Sequence, residues 1–158
     1  MAELGVIRAG QFLTHPPVRV WRALTDAELL ARWFMPNDFK PVLGHRFTFR
    51  TKARPEQNFD GVVHCEVLEL EPVRLLRFAW RGGHLDSTVT WTLTAEGHGT
   101  RLVVEHAGFD PDDPAQRLAF KIMGGGWRSH VLRSLAELLA AQDEPSDLLA
   151  AQDEPSDR

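Results

Sequence analysis

Histidine and aromatic rings are the groups through which this chain could do chemistry; it holds seven histidines, one cysteine and no tyrosine. His106 is the histidine that its surroundings place. In Thr100-Arg101-Leu102-Val103-Val104-Glu105-His106 the alternation sets the imidazole on the same strand face as Leu102 and Val104. There it could bond a ligand or move a proton near neutral pH, or it could be a satisfied histidine of the core or its rim. His15, His45, His64, His84, His98 and His130 are scattered over turns and strands without H-x-H or H-E-x-x-H spacing, so no metal site is expected. Cys65 sits in the strand-like run GVVHCEVLEL, where a buried, inert thiol is expected. As the single cysteine it cannot close an intramolecular disulfide. There is no nucleophile motif and no glycine-rich phosphate loop after a strand, and Gly124-Gly125-Gly126 falls within a helical pattern. No cofactor and no catalytic residue are therefore assigned.

The second set is aromatic. Strand parity points Phe47, Phe49, Trp80, Trp91 and His106 to one face, and Trp33, Phe120 and Trp127 approach it from helical segments. Rings around one titratable tip are how small-molecule pockets are lined, and these eight residues are the expected ligand-binding set. The same rings could fill a solid core, and periodicity does not separate a full core from a hollow one.

The elements that must position these residues follow from pattern. Residues 4–13 read as a first strand, stopped by His15-Pro16-Pro17. A short helix runs from Pro17 to about Leu24, with Val20, Trp21 and Leu24 on one face. Thr25 and Glu28 have capping-box spacing and predict a second helix carrying Leu29, Leu30, Trp33 and Phe34, ended near Met35 by Pro36. From Gly44 to Ala107 the period becomes two, in HRFTFR, RLLRFAW, STVTWTLT and TRLVVEH. Turn chemistry separates these runs at Arg54-Pro55 through Asn58, Glu71-Pro72, Gly82-Gly83 and Gly97-His98-Gly99. Connections this short imply an antiparallel meander. The cations from Arg46 through Arg54 alternate with Phe47 and Phe49 and read as the wet face of a strand, or as a contact for an anion or a partner.

After Asp110-Pro111-Asp112-Asp113-Pro114 one long helix is predicted to about Ala141, with Phe120, Met123, Trp127, Val131, Leu135 and Leu138 as its stripe. The three glycines cost on the order of 3 kcal/mol in helix propensity. Either the helix kinks or two helices meet near Gly124, or the missing side chains let the backbone approach the sheet or a ligand closely. The decapeptide LLAAQDEPSD at 138–147 recurs unchanged at 148–157. Two acidic copies are no solenoid; residues 1–142 are expected to form one domain and residues 143–158 a loosely packed tail, or a short helix that packs on a neighbouring molecule.

Composition bounds the function classes. A hydrophobic fraction of 43% and a charged fraction of 25% are those of an ordinary globular protein. Residues 1–142 carry 17 Lys and Arg against 16 Asp and Glu, and the tail 1 against 6, so the body is nearly neutral and offers nucleic acid no basic footprint. No apolar run approaches the roughly 18 residues of a membrane span, and MAELGVIRAG lacks a secretory pattern, so a cytoplasmic protein is expected. A one-faced sheet and one long amphipathic helix give an α+β fold in which the sheet wraps that helix.

Particular residues resemble a known family. Val20-Trp21-Arg22-Ala23-Leu24-Thr25-Asp26 followed by Leu30-Ala31-Arg32-Trp33-Phe34, the glutamate-proline turn at Glu71-Pro72, Arg74-Leu75-Leu76, Ser87-Thr88-Val89-Thr90-Trp91, Gly99 to His106, and Gly126-Trp127 are similar to the SRPBCC or START-like superfamily, in its branch of activator of heat-shock protein ATPase homologues. The resemblance spans roughly residues 5 to 140; three glycines stand where the pattern has one. It implies a helix-grip fold with a curved antiparallel sheet around a long C-terminal helix and two short helices between the first and second strands. It also implies an internal cavity for a hydrophobic or aromatic small molecule, oriented by His106, Ser87 or arginine side chains. Two other functions go with it: a co-chaperone that stimulates a heat-shock ATPase, although the chain has no room for the additional N-terminal domain of eukaryotic activators, or a cyclase-like or hydrolytic enzyme using His106 with an acidic partner. Whether the chain is an enzyme stays open, with binding favoured. The partners implied are the small molecule, a chaperone and a second copy of the chain.

Overall fold

The computed structural model describes residues 5–55, 59–83 and 85–142. The turn at Asn58, His84 and the duplicated tail from residue 143 lie outside the described residues, as does the His130 side chain. The order is β1 (Gly5–Leu13), α1 (Pro17–Thr25), α2 (Ala27–Trp33), β2 (Arg46–Arg50), β3 (Val62–Glu71), β4 (Leu75–Gly82), β5 (Leu85–Glu96), β6 (Gly99–Phe109), α3 (Pro114–Gly126), a π-helical segment (Trp127–Val131) and α4 (Leu132–Gln142). The strands form one antiparallel sheet in the order β1-β6-β5-β4-β3-β2, so β1 closes onto the last strand and the meander fills the rest. This is the α+β helix-grip arrangement.

Alternation does what it predicts. Phe47, Phe49, Leu76, Phe78, Trp80, Val89, Trp91, Leu93, Leu102, Val104 and His106 are all buried on the helix side. The opposite face carries cross-strand ion pairs, among them Arg8–Glu105, Arg77–Glu69 and Arg81–Asp86. One register irregularity between Val67 and Glu69 changes the phase of β3, so that Glu69 faces out beside Arg77 and Leu70 faces in beside Leu76. At the far end of β6, Gly108 adopts φ +110° against the backbone of Ser87, a conformation that a side chain would strain.

Two sequence expectations need correction. The cap of α2 is Asp26, whose Oδ1 accepts from the backbone N–H of Glu28 (2.9 Å) and Leu29 (3.3 Å), whereas the Thr25 hydroxyl turns back to donate to the Trp21 carbonyl (2.8 Å). Thr25 is still helical in α1, and only the next residue has the extended backbone that a cap requires. Helix α2 stops at Trp33, two residues before Met35.

The C-terminal helix is also phased differently. Its path continues through the glycines, and the irregularity is the π segment directly after them, where the Leu132 N–H reaches back to the Trp127 carbonyl. A π turn holds an extra residue, so the buried stripe steps by five from Trp127 to Leu132 and then runs to Leu135 and Leu139. Val131 and Leu138 are left partly buried at its margin. Of the three glycines only Gly124 is buried, with a Cβ there 3.3 Å from the Arg128 guanidinium; at Gly125 and Gly126 a Cβ would meet nothing within 4 Å.

Candidate functional site

The predicted aromatic residues pack mainly on one another. The Phe34 ring is the hub: it stacks on Trp33 at 5.3 Å and Trp127 at 5.5 Å and meets Phe49 edge-on at 4.9 Å. Trp91 meets Trp127 at 5.4 Å, Phe47 meets Phe49 at 5.4 Å, and Phe120 closes the far end against Phe109 at 5.2 Å. Trp33, Phe47, Phe49, Trp80, Trp91 and Trp127 are buried and Phe120 is partly buried. Buried indoles need partners, and Trp33 Nε1 donates to the Ala23 carbonyl at 2.9 Å.

His106 is sealed in this packing at 0% exposure. The indole Nε1–H of Trp127 can only donate, so Nδ1 of His106, 3.1 Å away, is the acceptor and carries no proton. The ring proton therefore sits on Nε2 and is donated to the Ser87 Oγ at 2.8 Å, and the Ser87 hydroxyl donates in turn to the Trp80 carbonyl at 2.8 Å. Every polar atom of the relay is used. Burial holds the imidazole neutral by lowering its pKa to about 3. A general base acting on Ser87 would need a bare Nε2, and this tautomer presents the opposite. The relay pins β4, β5, β6 and the π segment together.

A cavity of about 230 Å³ lies beside this cluster, between α3 and the ends of β3, β4 and β5. Its floor is Trp80, Val63 and Leu85, all buried, and its walls are Met35, Phe59, Ala119 and Met123, all partly buried. Exposed Thr51, Arg54 and Ile122 form the rim. Each wall has a local cause. Pro36 ends α2, and Met35 leaves the helix with its carbonyl held by Asn37 Nδ2 at 2.9 Å. The open space itself comes from small residues facing it: Gly82 and Gly83 at the β4–β5 turn, and Ala115 and Ala119 on α3.

Of the eight residues expected to bind a ligand, Trp80 lines the cavity; Trp33, Phe47, Phe49, Trp91, His106, Phe120 and Trp127 stand in the packed cluster behind or beside it. Met35, Phe59 and Met123 were not anticipated as lining, whereas Arg54 belongs to the basic run from Arg46 to Arg54 for which an anion or partner contact was the alternative to a wet strand face. The glycine pair before His84 and the methionine before Pro36 were the visible signals.

Among the described residues no group of three His, Cys, Asp or Glu side chains is placed to hold a metal ion. Burial pushes the Cys65 thiol well above its ordinary range. Asp38 lies below its ordinary range because the Thr48 backbone N–H bonds its carboxylate, which fixes the loop before β2. Among the described residues no helix is long and apolar enough to cross a membrane.

Comparison with known proteins places this architecture. Residues 14–140 match the family described as Activator of Hsp90 ATPase homolog 1-like protein. The protein MLL2253 of Mesorhizobium loti is 37% identical over 89% of this chain and all of its own, with a TM-score of 0.78. DynU16, a protein in the dynemicin biosynthetic locus, is 26% identical over 85% of this chain and 47% of its own, with a TM-score of 0.69. The Aha1 dimer from Colwellia psychrerythraea shares the fold at 16% identity and a TM-score of 0.72, over 89% of this chain and 99% of its own. No curated protein matches the chain.

Proposed function

The chain belongs to the Activator of Hsp90 ATPase homolog 1-like family, and on that premise we propose that it binds a small, largely apolar ligand in the cavity between α3 and the sheet. The observation that carries this is the cavity's composition: a buried floor and partly buried walls of Trp80, Val63, Leu85, Phe59, Met35 and Met123, opening at an exposed rim. An apolar cavity of about 150 Å³ takes up benzene. At about 230 Å³ this one has room for a ring with a short substituent or for a fused bicycle. Paired methionines supply an adaptable wall that can close on differently shaped rings. The likeness to a protein of a biosynthetic locus accords with a small-molecule ligand.

A catalytic role for His106 finds no support in its geometry, because the imidazole is sealed and both its nitrogens are engaged. Stimulation of a heat-shock ATPase has the family's name in its favour. Adding the protein to a heat-shock ATPase and following ATP turnover tests it, and an unchanged rate rejects it.

The cavity proposal is tested by titration with 2-naphthol while tryptophan fluorescence is recorded, since Trp80 forms the floor. Saturable quenching is expected, and Ala119→Trp, which fills the cavity from α3, should abolish it. A folded wild-type protein whose fluorescence ignores the probe, or an Ala119→Trp variant that binds it equally well, would refute the proposal.

A further inference from the structure

We propose that the preferred ligand is an aromatic carboxylate, its ring in the cavity and its anionic group on Arg54; this rests on the ligand-binding function proposed above. Among the described residues Arg54 is the one charged residue that lines the cavity, and no carboxylate lines it. Its main chain is fixed: the Arg54 N–H donates to the Phe59 carbonyl at 2.7 Å and the Phe59 N–H returns to the Arg54 carbonyl at 3.1 Å. That reciprocal pair sets a guanidinium and an aromatic ring side by side at the mouth. Phe59 in turn lies over Gly82, where a Cβ would come within 3.1 Å of its ring, so the wall beside Arg54 is seated on the β4–β5 turn.

The polar side chains on the α3 side of the cavity are committed elsewhere. Gln116 also lines the cavity, but its Oε1 accepts from the Asp110 N–H at 2.7 Å and its Nε2 donates to Asp113 Oδ2 at 3.3 Å. Asp113 uses its Oδ1 to cap α3 at the Ala115 N–H, and Asp110 Oδ1 accepts from the Asp112 N–H, so these acids serve the loop before α3 and do not line the cavity. On the outer sheet face the arginines at positions 8, 46, 77, 81 and 101 are drawn into ion pairs with Glu or Asp; among the described residues no carboxylate forms such a pair with Arg54.

A planar guanidinium at the rim of an apolar, aromatic-walled cavity selects for a flat anion. The fork matches a carboxylate with two parallel hydrogen bonds, and an amine in the same place would be repelled. Because the rim is wet, the gain is at the low end for a charge-assisted bond, about tenfold in affinity.

Calorimetric titration at neutral pH with 2-naphthoate and uncharged 2-naphthol, which share one ring system, tests this. Naphthoate is expected to bind about tenfold more tightly, with the advantage shrinking as salt is raised. Arg54→Gln should erase the advantage and leave 2-naphthol unaffected, and Arg54→Lys, which keeps the charge and loses the fork, should retain part of it. Equal affinities for the two probes, or an Arg54→Gln variant that keeps the preference, would overturn the assignment and leave the cavity standing. Failure of both probes to bind the wild type would overturn the cavity and the assignment together.

Discussion

Lowering the pH from 8 to 5 should cost this protein about 2 kcal/mol of stability through His106 alone. In the folded chain burial holds this imidazole's pKa near 3, against about 6.5 for the unfolded chain. Between those values the unfolded state binds the proton and the folded state does not, so stability is complete above about pH 6.5 and declines as the pH falls. At pH 5 the unfolded chain gains RT ln(1 + 10^1.5), which is about 2 kcal/mol, a sizeable share of the roughly 5–15 kcal/mol that holds a domain together. The perturbation is His106→Asn, whose amide oxygen can still accept from the Trp127 indole but which does not titrate. The assay is urea unfolding of both proteins at pH 8 and pH 5. The variant is expected to be less stable at pH 8, because the donor to Ser87 is lost, yet its further loss on going to pH 5 should be smaller than the wild type's by about 2 kcal/mol. Identical losses in the two proteins would show that the imidazole is not held neutral by burial and that the relay is misassigned.

Gly125→Ala with Gly126→Ala should stabilise the protein by up to about 1 kcal/mol each, since both lie in the helical path and a Cβ would meet nothing; thermal melts should rise by roughly 2–4 °C per kcal/mol, and a fall would mean that the glycines are needed for packing. Gly108→Ala should destabilise by about 1–3 kcal/mol, because φ +110° is combined with contact against the Ser87 backbone; a neutral result by urea unfolding would contradict that geometry. Asp26→Ala should cost about 1 kcal/mol in the same assay and Glu28→Ala under about 0.5, whereas a true capping box at Thr25 would make Glu28 matter as well.

The sheet was legible because one face is dry: Phe47, Phe49, Trp80, Trp91 and His106 could be assigned to the inside from alternation alone, and all are buried. The phase of the last helix was not, for a definite reason. Val131-Leu132 and Leu138-Leu139 are apolar doublets, so steps of three and four through Val131 and Leu138 fit the sequence as well as the five-residue step through Leu132 that the π segment imposes. The cap of α2 was misplaced by one residue because Thr25 and Asp26 are both good cap formers, and only backbone geometry decides between neighbours. His106 was located correctly, but its role depends on the Trp127 donor and the Ser87 acceptor, which come from other elements. The cavity left the weakest trace. It is a deficit of volume where Gly82, Gly83, Ala115 and Ala119 meet across two elements, and a deficit has no period. The rings that stand out in the sequence chiefly build the wall behind it.

Methyl NMR on the protein with and without 2-naphthol bears most directly on the cavity. Met35 and Met123 line it from α2's end and from α3, so both methyl resonances should move on saturation while that of Ala23, on the buried face of α1, stays in place. Methionine signals that remain fixed at saturating probe, or shifts confined to methyls elsewhere in the fold, would contradict the account.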